Sequence, residues 1–201
     1  YDEISPTPRD TLAQVQRLPL GVVAQIVPWN FPLSTTAWKL APALATGNSV
    51  ILKPASNTPL TALRIAALAS EAGLPDGVLQ VLPGPGGSLG KHLALHTDID
   101  GLTFTGSTPV GKLLMQYSGQ SNLKRTFLEL GGKSPNIVFA DANLDKAAAM
   151  AALAVFYNGG QTCTAGTRLI VQSSIQDAFV EKVIRHAERW MPGDPMDPRT
   201  R

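Results

Sequence analysis

The side chains of this sequence that could do chemistry are few and spread along its length. Cys163 is the single cysteine and sits in Gly159-Gly160-Gln161-Thr162-Cys163-Thr164-Ala165-Gly166, a loop of small residues. A lone cysteine often serves only as a small buried hydrophobe. Here glycines on both sides open the backbone and no bulky apolar neighbour covers the sulfur, a setting that suits a nucleophilic thiolate. Glu129 is a carboxylate within Phe127-Leu128-Glu129-Leu130-Gly131-Gly132. It is either an outward-facing or ion-paired strand residue, or an acid that desolvation turns into a base. Asn30 stands in Pro28-Trp29-Asn30-Phe31-Pro32, where two prolines stiffen the backbone around an amide. A rigid amide N–H can hold an oxyanion, and an Asn in a turn can also satisfy its own backbone.

Two further stretches could hold an anion. Gly106-Ser107-Thr108-Pro109-Val110-Gly111 follows an apolar run and opens a helical pattern, so its backbone can approach a phosphate at a helix N-terminus. The spacing is G-x-x-x-x-G, neither the dinucleotide fingerprint nor a Walker A loop, and it also fits a plain strand-to-helix turn. Lys53-Pro54 closes another apolar run; its lysine could hold a phosphate or ribose, or simply be a solvated charge. His92, His96 and His186 show no metal-ligand spacing with carboxylates. One cysteine excludes an internal disulfide and a cysteine-based zinc site, so no metal is expected.

The elements that must position these residues alternate. Short runs rich in Val, Ile, Leu and Phe at 21–28, 49–54, 78–82, 101–105, 127–130 and 137–140 read as strands covered on both faces. Helical patterns at 61–72, 89–96 and 110–117 lie between them, the first with Thr58 as N-cap and Pro59 at the first helical position. The expectation is an α/β fold, a Rossmann-type parallel sheet with helices on both faces and ligands at the carboxyl ends of the strands. After Asp141 the pattern changes to a helix at 144–157, a strand at 168–171 and a helix at 175–190. This reads as the start of a second α/β domain, with a boundary at Gly131-Gly132.

The 201 residues hold one full domain or one plus part of another. At 44% apolar and 16% charged they support a core rather than disorder. A net charge of +2 gives no field to draw in nucleic acid or an anionic membrane. No apolar run approaches the roughly 18 residues of a membrane span, and the first residues lack the order of a secretory signal. A soluble, cytoplasmic protein is expected. The start at Tyr1 and the turn-like end at Pro198-Arg199-Thr200-Arg201 read as those of a piece of something longer.

Taken in order, Pro28-Trp29-Asn30-Phe31-Pro32, Lys53-Pro54-Ala55-Ser56, Gly106 to Gly111, Glu129-Leu130-Gly131-Gly132-Lys133-Ser134-Pro135-Asn136 and Gly160-Gln161-Thr162-Cys163 closely resemble the aldehyde dehydrogenase superfamily. The resemblance covers nearly the whole chain. Phe156-Tyr157-Asn158 and Ala165-Gly166-Thr167-Arg168 look most like the bacterial branch acting on ω-amino aldehydes, which includes γ-glutamyl-γ-aminobutyraldehyde dehydrogenases. The resemblance implies that Cys163 is the nucleophile, Asn30 an oxyanion donor and Glu129 the base that activates the hydrolytic water. It implies that Lys53 binds the adenosine ribose and Ser107 the pyrophosphate. Val27, Pro28, Trp29, Gly86, Gly106, Val110, Gly111 and Leu130 would form further parts of the groove for NAD or NADP.

Two departures sharpen these expectations. Many NAD-preferring relatives carry a glutamate where Ser56 stands; it grips the ribose hydroxyls and would repel a 2′-phosphate, so Ser56 implies that NADP is tolerated. Family members are also more than twice as long. Residues 1–131 would be the nucleotide-binding domain, with 1–20 a linker or edge segment, and 132–201 the incomplete beginning of the catalytic domain. The full-length protein would be a homo-oligomer that takes a small aldehyde. The alternatives are a nucleotide-binding fragment without turnover and a CoA-acylating relative; the latter generally lack the water-activating glutamate, so Glu129 argues for hydrolysis.

Overall fold

The computed structural model describes residues 3–200, so residues 1, 2 and 201 of the expected domain ranges lie outside it. The chain forms two compact units, the first running to Glu129 and the second starting at Leu130. Within residues 1–20, read from sequence as linker or edge, β1 (Glu3–Ser5) and β2 (Ala13–Val15) pair as a short antiparallel hairpin, Ile4 opposite Gln14.

The first unit is built on a five-stranded sheet of β3 (Val22–Ile26), β4 (Ser49–Lys53), β5 (Leu79–Val81), β6 (Gly101–Gly106) and β7 (Arg125–Leu130). The order across it is β5-β4-β3-β6-β7, and β3 pairs parallel with both β4 and β6. Chain order therefore runs outward from β3 in one direction and then in the other, which is the reversal of a doubly wound sheet. Val23, Ala24, Ile26, Val50, Leu52, Leu102 and Phe104 are all buried, so the central strands supply much of the core, with the polar Gln25 and Lys53 buried among them.

Helices α1 (Pro32–Ala45), α2 (Leu60–Glu71), α3 (Lys91–Leu95) and α4 (Thr108–Gln120) fill the connections. The core between α1, α2 and the sheet is Val27, Leu40, Val50, Leu52 and Ala62. Each large side chain buried there contributes about 1.5–3 kcal/mol. Helix α1 is absent from the sequence reading. Pro32 occupies its first turn, where no N–H is needed; Pro42 lies inside it and forgoes the bond to the Trp38 carbonyl, yet the helix runs on to Ala45. The start of α2 also corrects the sequence reading: Pro59 is its N-cap and Leu60 its first residue. Thr58 does not cap, since its backbone N–H donates to Ala55 O at 3.2 Å and its buried hydroxyl has no hydrogen-bond partner.

In the second unit β8 (Pro135–Val138) and β9 (Arg168–Val171) form a parallel pair, with α5 (Leu144–Phe156) and α6 (Gln176–Ala187) packed against each other. Val138, Ala148, Ala151 and Phe179 make its core. Asn143 caps α5, its side-chain oxygen accepting from the Lys146 N–H at 3.1 Å. Short 3-10 turns at Ser173–Ile175 and Glu188–Trp190 bracket α6, so the pattern expected as one helix at 175–190 is three segments.

Candidate active site

The carboxyl ends of the parallel strands gather most of the residues singled out in the first unit. β3 runs into Val27, Pro28, Trp29 and Asn30; β4 ends on Lys53 and leads to Ser56; β5 leads to Gly86; β6 ends on Gly106 and Ser107. In an open α/β sheet, ligands bind outside these ends, at the point where the strand order reverses, here between β3 and β6. The edge is tied together by the Val27 N–H donating to Lys53 O at 3.1 Å and the Ser56 hydroxyl donating to Gly84 O at 3.1 Å.

The side chains there differ in what they offer. Trp29, Ser56, Gly86, Ser107 and Val110 are exposed, Pro28, Asn30, Gly106 and Leu130 half-buried, and Val27 and Gly111 buried. Val27 belongs to the core, so only its main chain is available to a ligand. Lys53 is almost wholly buried, its ammonium donating to Pro54 O at 3.0 Å, and burial holds its pKa below the ordinary 10.5.

Ser107 is the N-cap of the 13-residue helix α4, with extended backbone and a side chain that makes no cap bond. The orphan N–H groups of that first turn suit an anion. Gly106 is needed just before it, because a Cβ there would come within 2.4 Å of the Phe104 ring. These features fit a nucleotide's phosphates.

Glu129 lies exposed on β7, so the outward-facing reading of that carboxylate describes its position in this chain, and the desolvated setting does not. A residue that sequence reasoning passed over lies near it. Lys39, half-buried on α1, donates from Nζ to Thr103 Oγ1 on β6 at 2.6 Å. Burial lowers its pKa, and the Glu129 carboxylate partly offsets that by raising it. The signal in the sequence was a lone charge in the otherwise uncharged stretch 31–45.

Cys163 lies in the second unit and is exposed. Helix α5 ends at a bend in which Asn158 (φ 53°), Gly159 (φ 61°) and Gly160 (φ 77°) are all left-handed. Three such residues in a row reverse the chain sharply, and a Cβ on Gly160 would also press to 3.2 Å from Val155 O. A turn follows, the Ala165 N–H donating to Thr162 O at 3.2 Å, with Cys163 and Thr164 at its tip. Beside it is a cleft of about 380 Å³ lined by Leu153, Ala154, Tyr157, Thr162 and Thr164. A thiol at the tip of a turn next to a mostly apolar cleft can be approached by an organic electrophile.

Among the described residues no group of three or more His, Cys, Asp and Glu could hold a metal ion, and no helix is long and apolar enough to cross a membrane. Fold and site together define an α/β protein whose doubly wound sheet suits a nucleotide and whose second unit presents a thiol.

Comparison with known proteins makes this specific. The aldehyde dehydrogenase family matches residues 1–201, and the chain belongs to that family. It is 55% identical over 201 residues to the NADP/NAD-dependent aldehyde dehydrogenase PuuC of Escherichia coli (strain K12), covering 100% of this chain and 41% of the relative. The crystal structure of the aldehyde dehydrogenase KauB from Pseudomonas aeruginosa superimposes with a TM-score of 0.97 at 61% identity, covering 100% of this chain and 41% of that one. A γ-glutamyl-γ-aminobutyraldehyde dehydrogenase from Burkholderia cenocepacia J2315 gives a TM-score of 0.96 at 57% identity, covering 99% and 40%. The chain thus spans about two-fifths of the length of these relatives.

Proposed function

We propose that the protein carrying this chain oxidises an aldehyde to its carboxylic acid with NAD or NADP, the first unit binding the nucleotide and the second supplying the nucleophile. The observation that carries the reading is the exposed Cys163 at the tip of its turn, in a chain that matches the aldehyde dehydrogenase family along its whole length.

The roles follow the motif match residue by residue. The Cys163 thiolate attacks the aldehyde carbon and forms a thiohemiacetal. The Asn30 side-chain amide and the Cys163 backbone N–H hold the oxyanion, each donor being worth about 2.7–4 kcal/mol at a transition state. The bound nicotinamide supplies the hydride acceptor, and oxidation leaves a thioester on Cys163. Glu129 then takes a proton from water, the hydroxide adds to the thioester carbon, and collapse releases the acid and restores the thiolate. Ser107 and the first turn of α4 would hold the pyrophosphate, and Lys53 and Ser56 the adenosine ribose.

Two finer points complete the proposal. NADP is accepted beside NAD, since Ser56 places no negative charge against a 2′-phosphate; PuuC, the similar protein of Escherichia coli, is NADP/NAD-dependent. The substrate is an ω-amino or γ-glutamylamino aldehyde. Phe156-Tyr157-Asn158 and Ala165-Gly166-Thr167-Arg168 support this, as does the likeness to the Burkholderia enzyme whose name carries that substrate.

The test uses Glu129→Gln in the natural-length protein. It should give one equivalent of reduced cofactor in a burst, then stall, with the acyl mass found on the peptide bearing Cys163. An intact mass spectrum without acyl adduct, in a variant that binds the cofactor, would refute the roles of both residues.

A further inference from the structure

We infer that Trp190 is a positioning residue that sets specificity: its indole holds the Tyr157 ring as a fixed wall of the cleft beside Cys163. The wall favours electrophiles long enough to lie along it. This role rests on the reading of Cys163 as the nucleophile and adds to it a residue that lies outside the cleft lining and that no motif marks.

The two rings reach each other from separate elements. Tyr157 caps the C-terminus of α5, its N–H donating to Leu153 O, and its extended ψ of 138° starts the bend that leads to Cys163. Trp190 ends the 3-10 turn that continues α6, and α6 packs along α5. The turn stops there for a local reason. Pro192 pushes the residue before it out of the helical region, and Met191 is extended, with ψ 133°. The ring centroids of Tyr157 and Trp190 lie 6.4 Å apart with planes at 87°. This is the T-shaped arrangement, in which the positive edge of one ring meets the negative face of the other.

What the contact does follows from where the tyrosine stands. Tyr157 lines the cleft of about 380 Å³ together with Leu153, Ala154, Thr162 and Thr164, and the two threonines flank Cys163 in the chain. Leu153 and Ala154 belong to α5, so the helix fixes where they point. Tyr157 follows the last helical residue and is 51% exposed, so packing rather than helix geometry decides its rotamer. The indole blocks the swing of that ring on one side. A wall that stays in place gives an elongated electrophile a flat apolar surface with no ordering cost on binding. A small electrophile reaches the exposed Cys163 sulfur without touching it. Trp190 is half-buried and stands outside the core of Val138, Ala148, Ala151 and Phe179, so its truncation leaves that core in place.

Alkylation, in which the Cys163 thiolate displaces iodide, reads the cleft without turnover. The natural-length protein is treated with iodoacetamide and with N-phenethyl iodoacetamide, and each adduct is followed on the peptide bearing Cys163. Wild type is compared with Trp190→Leu, Trp190→Phe, Tyr157→Leu and the two leucine substitutions together. The rate preference for the elongated reagent should fall about fivefold in Trp190→Leu, the scale of one edge-to-face aromatic contact, with the iodoacetamide rate unchanged. In Trp190→Phe, which restores a ring, it should stay within about twofold of wild type. Tyr157→Leu should lower it as well, and adding Trp190→Leu to that variant should lower it no further. An unmoved preference in Trp190→Leu overturns the role of the indole, as does an equal fall for both reagents, which marks displacement of the turn. A further fall in the double variant overturns action through Tyr157. An unmoved preference in Tyr157→Leu, at an exposed position outside the core, overturns the wall itself. A protein that oxidises no aldehyde would refute the proposed function while leaving these alkylation rates readable.

Discussion

The two units position their reactive groups by opposite means. In the first, the candidate residues stand where buried parallel strands end, and the sheet decides where each one emerges. In the second, the thiol stands on a turn set by three consecutive left-handed residues, and the backbone of a few positions decides everything. The sheets differ in the same way. β3, β4 and β6 are mostly buried, whereas Ile137 and Ile170 of β8 and β9, and Phe139 just after β8, are 57%, 47% and 62% exposed. Strand ends tolerate change in side chains because hydrogen bonds to both neighbours hold the backbone. At Gly160 the left-handed bend resists an added Cβ, which would strain its φ of 77° and press to 3.2 Å from Val155 O.

The sharpest way to break this comparison is to separate chemistry from binding. Cys163→Ala in the natural-length protein should lower aldehyde oxidation by at least about a thousandfold, the scale on which loss of a nucleophile acts. Cofactor affinity, measured by calorimetry, should stay within error. A fall in both would mean that the two units do not divide the work.

Next in size is the bend. Gly160→Ala should cost about 1–3 kcal/mol in urea unfolding and about a hundredfold in rate, since the turn carrying the nucleophile is displaced. Gly86→Ala is the control in the first unit. Nothing lies within 4 Å of a Cβ added there, so the stability change should stay within about 0.5 kcal/mol. Equal losses would remove the contrast.

The smallest expected effect concerns Lys53. Lys53→Met should weaken cofactor binding about tenfold, the loss of a charged hydrogen bond, without lowering stability. Burial lowers the Lys53 pKa from 10.5, so the unfolded chain holds that proton more tightly than the folded one. Its contribution to stability therefore rises with pH from the lowered folded value up to about 10.5. The signed change in urea midpoint from pH 8 to pH 10 should accordingly be less positive in the methionine variant than in the wild type. An equal change in both would show that the ammonium is not desolvated.

What was legible in the sequence, and what was not, follows one physical line. The apolar runs gave away a sheet covered on both faces because burial acts on both faces of a central strand. The glycine-flanked cysteine was readable as exposed because nothing bulky lies near it in the chain. The Glu-Leu-Gly-Gly and Gly-Gln-Thr-Cys blocks carried the family. Helix α1 escaped because prolines argue against a helix locally, and only its apolar face against the sheet outweighs them. Leu40 of that helix is buried in the core with Val27, Val50 and Leu52. Thr58 looked like a cap and is instead buried in a turn, a matter of where the chain entering α2 lies.

The sequence by itself therefore determined the kind of sheet, the family and the exposure of the thiol, all of which depend on residue type and near neighbours. Only the tertiary structure decided which distant residues meet. Lys39 and Thr103 are 64 positions apart, and their contact exists because β6 lies beside β3 while α1 crosses above. Strand order is a property of the whole sheet and leaves no mark on either residue, so their contact became visible only once the strands were in place.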